Sequence, residues 1–280
     1  MWTDSLPDWF SAHGRHHLPW RLTTDPWPVL VSEVMLQQTS VSRVIPRWES
    51  FLRRWPDARS CAAASLDEVL REWQGLGYPR RARALWLSAA RVSDAGWPAD
   101  EAGLRTLPGV GAYTARALLA FSDVGPALAP PRDVNIGRVA ARVALGCDAS
   151  EVAVAVLDAV VREARPAGMP IREYAYALFD VGAHHCRAQP RCDGCPLGHS
   201  CTFHLSASTA VPRRRPRYQG SQRQLRGAIL RAVLGDPRLS GAPLRQAVSG
   251  VPGVSQQRFD EAFAGLVLDG LIPGGDDGVR

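Results

Sequence analysis

Through about residue 183, apolar positions recur every three to four residues and almost never alternate in twos, which is the pattern of amphipathic helices separated by short Gly/Pro breaks. The pattern predicts helices over 28–37, 43–54, 66–74, 79–95, 112–122, 134–145, 150–164 and 171–183, and so an all-α domain spanning 1–183. A cysteine-rich loop (184–204) follows. Then "SASTAVPRRRPRYQGSQRQ" (206–224), rich in Ser, Pro, Gly and Arg, predicts a linker over 205–221. Residues 222–280 have room for three short helices, "QLRGAILRAVLG", "APLRQAVSG" and "SQQRFDEAFAGLVLDGLI", and read as a small helical or winged-helix-like unit.

Composition narrows the picture. No apolar run reaches the roughly 18 residues of a membrane span, and "MWTDSLPDWFSAHGRHH" lacks the apolar core of a signal peptide, so a soluble, cytoplasmic protein is expected. The net charge of +6 suits a polyanionic partner. All 33 basic residues are arginine, so no side-chain amine is present to form a Schiff base. Four of the six cysteines, Cys186, Cys192, Cys195 and Cys201, form a C-x5-C-x2-C-x5-C array, while Cys61 and Cys147 stand apart. This clustering reads as a metal or cluster site in a reducing compartment, and four thiolates so placed suit zinc or a [4Fe-4S] cluster alike.

Four other stretches carry candidate chemistry. In "SEVMLQQTSVSRVIP" (32–46), Glu33 precedes Val34, Met35 and Leu36, where a half-buried carboxylate is either capped or paired, or else held protonated for use as an acid. In "LPGVGAYTARALLAF" (107–121), Gly109 and Gly111 flank a turn that runs straight into a helix. Backbone N–H groups at that helix start can bind a phosphate without reading any base. "PRDVNIGRVAAR" (131–142) places Asp133 where it caps a helix, or where Asn135 caps instead and leaves Asp133 free. "WQGLGYPRRARAL" (73–85) joins Tyr78 to Arg80, Arg81 and Arg83, an aromatic beside arginines that suits either nucleic acid or a solvated basic face.

Taken in order, "LPWR", "SEVMLQQTSVSRVIPRW", "WQGLGYPRRAR", "LPGVGAYTARA", "RDVNIGRVAAR", "LFDVGAHHC" and "CDGCPL" resemble the helix-hairpin-helix base-excision glycosylases of the endonuclease III superfamily, and within it the MutY-type adenine DNA glycosylases. The resemblance runs from about residue 6 to 203. It implies a helix-hairpin-helix fold with an iron–sulfur loop, acting on double-stranded DNA that contains adenine mispaired with 8-oxoguanine or guanine. A same-fold enzyme for thymine or uracil opposite guanine, and a non-catalytic DNA-binding iron–sulfur protein, are the competing readings.

By the same resemblance Glu33 is the general acid that protonates adenine N7, Asp133 stabilises the oxocarbenium-like sugar, and Tyr113 and Asn135 support the pair. Trp20, Arg21, Leu36, Val41 and Asp180 match the pocket of the extruded adenine, and Gln38 and Tyr78 match residues inserted near the opposing base. Leu107, Gly109, Val110 and Gly111 match the DNA-binding hairpin. Arg187 and Arg191 fall in the loop that meets phosphate, and the four cysteines match ligands of a [4Fe-4S] cluster. Tyr113 stands where the bifunctional branch has its lysine nucleophile, so base removal without a lyase step is implied, by a monomer.

Three departures are visible. The first cysteine spacing is x5 where the family usually has x6, "YP" replaces "YY" at 78–79, and residues 222–280 leave no room for a large C-terminal domain that reads 8-oxoguanine.

Overall fold

A computed structural model describes residues 1–206 and 218–273. The helices are α1 (Leu6–His13), α2 (Pro26–Leu36), α3 (Val41–Arg54), α4 (Ala58–Ala63), α5 (Leu66–Glu72), α6 (Arg80–Ala95), α7 (Glu101–Leu104), α8 (Ala112–Phe121), α9 (Val134–Ala140), α10 (Val154–Glu163), α11 (Ile171–His184), α12 (Thr202–Leu205), α13 (Gln222–Gly235), α14 (Gly241–Ala247) and α15 (Gln256–Leu268). No strand occurs among the described residues, so the all-α expectation holds. Nor is any helix among them long and apolar enough to cross a membrane.

The chain forms two compact units. The first takes Met1–Glu33, Trp97–Thr106 and the described part of Val110–Arg214; the second takes Val34–Gly96, Leu107–Gly109 and the described part of Arg215–Arg280. This division by packing interleaves segments that composition alone separates at 183, 204 and 221. Residues 207–217, most of the expected linker, lie outside the described residues.

In the first unit α11 is the central support. Its buried face, Tyr174, Ala175, Ala177, Leu178 and Val181, follows a 3.6-residue period and meets α1, α8 and α9. Tyr174 is wholly buried, and its hydroxyl donates to the Val161 carbonyl at 2.9 Å, so the ring adds apolar area without leaving its polar end unpaired. Gly182 on α11 allows a close approach. A Cβ there would lie 2.9 Å from Asn135 Cβ, so only a bare backbone lets the start of α9 settle on this helix. Beyond α9 the chain widens into one π turn, Ala141–Leu145, and stops at left-handed Gly146.

In the second unit, Phe51 packs edge-on against Trp55 and Trp73 at centroid distances of 4.8 and 6.2 Å. Short α4 and α5 are each set by a capping box, Asp57 with Ser60 and Ser65 with Glu68. The helices α13, α14 and α15 bury Leu225, Ile229, Leu244, Phe259 and Leu266. Arg71 of α5 donates to the Leu234 carbonyl at 3.2 Å, and Asp269 pairs with both Arg226 and Arg80.

Candidate active site

Two carboxylates a hundred residues apart in sequence come within electrostatic reach of each other in the first unit. Glu33 lies near the C-terminal end of α2 and is only 7% exposed. Burial pushes its carboxyl up to about 7. The Tyr113 hydroxyl, donating to Glu33 Oε2 at 2.8 Å, opposes that shift, the negative charge of Asp133 adds to it, and Arg21 opposes it. A carboxyl so placed keeps much of its proton near neutral pH, as an acid catalyst requires. Tyr113 sits in the first turn of α8, and its own hydroxyl is pushed up, mainly by burial and then by both carboxylates. It therefore stays a neutral donor.

Asp133 is the N-cap of α9. Its Oδ1 accepts from the backbone N–H groups of Asn135 and Ile136, both at 2.8 Å, and its Oδ2 accepts from Asn135 Nδ2 at 2.6 Å. Burial raises its carboxyl and these hydrogen bonds pull it back. Asp133 therefore does the capping itself, and the alternative in which Asn135 caps is not what the structure shows. Asn135 faces the other way in the network: its Oδ1 accepts from Arg138 Nη2 at 2.8 Å, and Arg138 Nε donates to the Cys186 carbonyl at 2.6 Å. Sequence reasoning passed over Arg138, although it lies inside the quoted "RDVNIGRVAAR".

Asp180 is fully buried in α11. It accepts from the Arg15 backbone N–H and Nε at 2.9 and 2.6 Å, and from Arg21 Nη1 and Nη2 at 2.8 and 2.9 Å. Hydrogen bonds from Arg21, together with the charges of Arg21 and Arg15, overcome its burial and hold the carboxyl below its usual value. Both oxygens are occupied, so Asp180 acts through Arg21. The Arg21 guanidinium lies 4.2 Å from the Tyr176 ring centroid, its Nε is buried without a partner, and the neighbouring Trp20 is buried. Leu36 and Val41, half-buried, belong to the second unit at the end of α2 and the start of α3.

Also in the second unit, Gln38 and Tyr78 stand out by backbone geometry. They are the two non-glycine residues among those described with positive φ, at 57° and 49°. For side chains of this size the left-handed region costs about 1–2 kcal/mol and persists only when neighbours enforce it. Arg81 enforces it here. Its Nη1 donates to the carbonyls of Val34 and Gln37 at 2.7 and 2.6 Å, and its Nη2 to those of Leu76 and Gly77, both at 3.1 Å. Arg81 thus turns inward, away from the solvated or phosphate-facing role that its run of arginines suggested.

The hairpin turn follows α7. Leu107 and Val110 are buried, and Gly109, at φ 77°, could not carry a Cβ without meeting Ala84 Cβ at 2.8 Å. Ser88 Oγ donates to the Pro108 carbonyl at 2.8 Å and fixes the turn on α6. Gly111 differs: it is exposed at the N-cap of α8, and a Cβ there would meet nothing within 4 Å.

All four clustered cysteines line one cavity with about 370 Å³ of empty space, part of it open to solvent, together with Arg142, His185 and Phe203. Burial pushes up the thiols of Cys186, Cys192 and Cys195, the last to about 11, and neighbouring cysteines add to the shift. Arg142, in the π turn and almost wholly buried, donates to the Arg187 carbonyl at 2.6 Å and pairs with Asp148 at 2.9 Å. Arg187 and Arg191 are exposed on this loop. Among the described residues no three His, Cys, Asp or Glu side chains are grouped closely enough for a single metal ion.

An all-helical chain with a glycine turn opening α8, a buried acid at Glu33 and a capping aspartate at Asp133 fits the helix-hairpin-helix class of proteins. Comparison with known proteins agrees. Residues 31–155 match the HhH-GPD superfamily of base excision DNA repair proteins. An adenine DNA glycosylase of Mycolicibacterium smegmatis is 41% identical over 281 residues, spanning 98% of this chain and 93% of that protein. The structure of a thermostable thymine-DNA glycosylase aligns with TM-score 0.62 at 23% identity, covering 72% of this chain and 94% of its own. A non-covalent endonuclease III–DNA complex aligns with TM-score 0.60 at 23% identity, covering 73% and 94%. At such identity these two structures show the shared fold alone. The chain belongs to the HhH-GPD superfamily and, within it, to the adenine DNA glycosylase family.

Proposed function

We propose that this base-excision DNA glycosylase removes adenine mispaired with 8-oxoguanine or guanine from double-stranded DNA, and that it cuts the glycosidic bond without a lysine-dependent lyase step. The observation that carries the reading is the coupled pair Glu33 and Asp133, with the Glu33 carboxyl pushed up to about 7.

In this mechanism Glu33 gives its proton to adenine N7, so the bond between base and sugar breaks with its electron pair leaving on a neutral base. Asp133, held by Asn135 and the α9 backbone, keeps its negative charge facing the developing oxocarbenium sugar, and water then completes the hydrolysis. Tyr113 orients Glu33. Trp20 and Arg21, the latter fixed by Asp180, bind the base, and the family resemblance assigns Leu36 and Val41 the same task. Gln38 and Tyr78 insert near the opposing base, Gly109 and Gly111 bring backbone N–H groups to phosphate, and Arg187 and Arg191 also meet phosphate. The chain contains no lysine, so no side-chain amine is available to take over the sugar after the base departs.

Cys186, Cys192, Cys195 and Cys201 would hold a [4Fe-4S] cluster, zinc being the less favoured occupant. Support comes from the four thiols sharing one cavity. Such a cluster would cross-link the loop through the four thiolates, and a brown colour would mark it in purified protein; a colourless protein with stoichiometric zinc reverses the assignment. The enzyme is proposed to act as a monomer in a bacterial cytoplasm.

The test is single-turnover base release from end-labelled duplexes with A opposite 8-oxoguanine, A opposite G, T opposite G and U opposite G, each read with and without hot alkali. Breaks that appear only after alkali on the adenine duplexes are the expected result. Release of thymine or uracil instead, or breaks without alkali, overturns the reading.

A further inference from the structure

The C-terminal helices reach the inserted tyrosine. Arg223, in the first turn of α13, donates from Nη1 to Tyr78 Oη, and its guanidinium lies 5.3 Å from the Tyr78 ring centroid and 5.0 Å from that of Tyr218. Both Arg223 and Tyr218 are exposed, the latter 49%. The row Tyr218, Arg223, Tyr78 thus offers aromatic and guanidinium surface to solvent around one of the two strained non-glycine residues.

This arrangement is built into the unit. Gly220 N–H donates to Gln224 Oε1 at 2.7 Å, and the Gly220 carbonyl accepts from Arg258 Nη2 of α15 at 2.7 Å, which fixes the segment carrying Tyr218. Ser221 caps α13 by accepting from the Gln224 N–H at 3.2 Å, and the far end of α13 is held where Arg71 donates to the Leu234 carbonyl. Arg223 is therefore presented from a helix fixed at both ends. Among the described residues its contacts are with the two tyrosines, and no carboxylate pairs with it.

We propose that Arg223 is a specificity-determining residue. It holds Tyr78 and, with Tyr218, forms the surface by which α13 to α15 act on the DNA strand opposite the excised adenine. The inference rests on the proposed insertion of Tyr78 near the opposing base. It gives the C-terminal helices a part in discriminating 8-oxoguanine from guanine that their small size otherwise obscures. Planar cations and phenol rings suit this task, because both stack on the face of a purine while the guanidinium retains N–H groups for its edge.

The experiment compares the full-length protein with its Arg223→Ala, Tyr78→Ala and double variants, by single-turnover adenine release opposite 8-oxoguanine, guanine and an abasic analogue. Losing an exposed cation–π pair and one hydrogen bond is expected to lower the 8-oxoguanine over guanine rate ratio by about tenfold, leaving the abasic duplex unchanged. The double variant is expected to be no worse than Tyr78→Ala, since Arg223 acts through that ring. An unchanged ratio in Arg223→Ala overturns the proposal. So does an equal loss on all three duplexes with a shallower salt dependence, which marks a plain phosphate contact. A parent protein that releases adenine from none of them overturns the functional reading itself, so the two failures are distinct.

Discussion

The two units hold their candidate site residues by opposite means. In the first, reactivity comes from burial tempered by hydrogen bonds: Glu33 is kept partly protonated by desolvation against the pull of Tyr113, and burial raises the Asp133 carboxyl against three hydrogen bonds from Asn135 and Ile136. In the second, posture comes from backbone strain, with Gln38 and Tyr78 held at positive φ by the one guanidinium of Arg81. Removing a proton donor therefore leaves the first unit's architecture standing, whereas removing the clamp releases the second unit's geometry.

The largest effect expected is in the first unit. Glu33→Gln lowers single-turnover base release by roughly 10²–10⁴-fold with DNA affinity retained. The same substitution stabilises the fold at high pH. A carboxyl raised from 4.5 to about 7 costs stability as pH climbs between those values, because the unfolded chain ionises while the buried native group keeps its proton, and glutamine escapes that cost. Thermal unfolding at pH 8 should show the variant more stable by on the order of 2–3 kcal/mol, and the difference should vanish near pH 4. For the parent, base release should fall as pH rises through about 7. Equal turnover in the variant, or a flat pH profile, breaks the first half of the comparison.

Arg81→Met tests the second half. It strands the part-buried carbonyls of Val34, Gln37 and Leu76, so a loss of about 2–4 kcal/mol in denaturant unfolding is expected, together with weaker discrimination of the opposing base. Full stability there would show that the strained turns support themselves. Gly111→Asp carries the smallest expected effect, about tenfold weaker binding by titration of any duplex and an unaltered melting temperature, because the position has open space and a phosphate contact reads no base. A loss confined to one mismatch would remove the hairpin from phosphate binding.

Periodicity made the long helices legible. The predicted 79–95 and 171–183 differ by a residue from Arg80–Ala95 and Ile171–His184, because both bury a continuous apolar stripe. The short helices α4 and α7 were missed, since four to six residues give too few turns for a stripe to emerge and their capping residues set their boundaries. The hairpin was readable from its glycines because Gly109 is needed for both its φ and its closeness to Ala84. The meeting of Glu33 with Asp133 was not readable from spacing, and rested on the family resemblance until packing placed them. Arg81 and Arg138 carry no local sign of direction: an arginine in a basic run looks the same whether it faces solvent or staples carbonyls.

The clamp at Arg81 bears on how such an enzyme searches. A glycosylase must interrogate very many intact base pairs for each damaged one. A probe that had to twist into an unfavourable conformation at each encounter would lengthen every stop along the duplex. With Gln38 and Tyr78, the residues proposed to insert beside the opposing base, already in that conformation, the strain is met a single time, when the chain folds, and on that proposal each test of a base pair is as brief as the stacking contact itself.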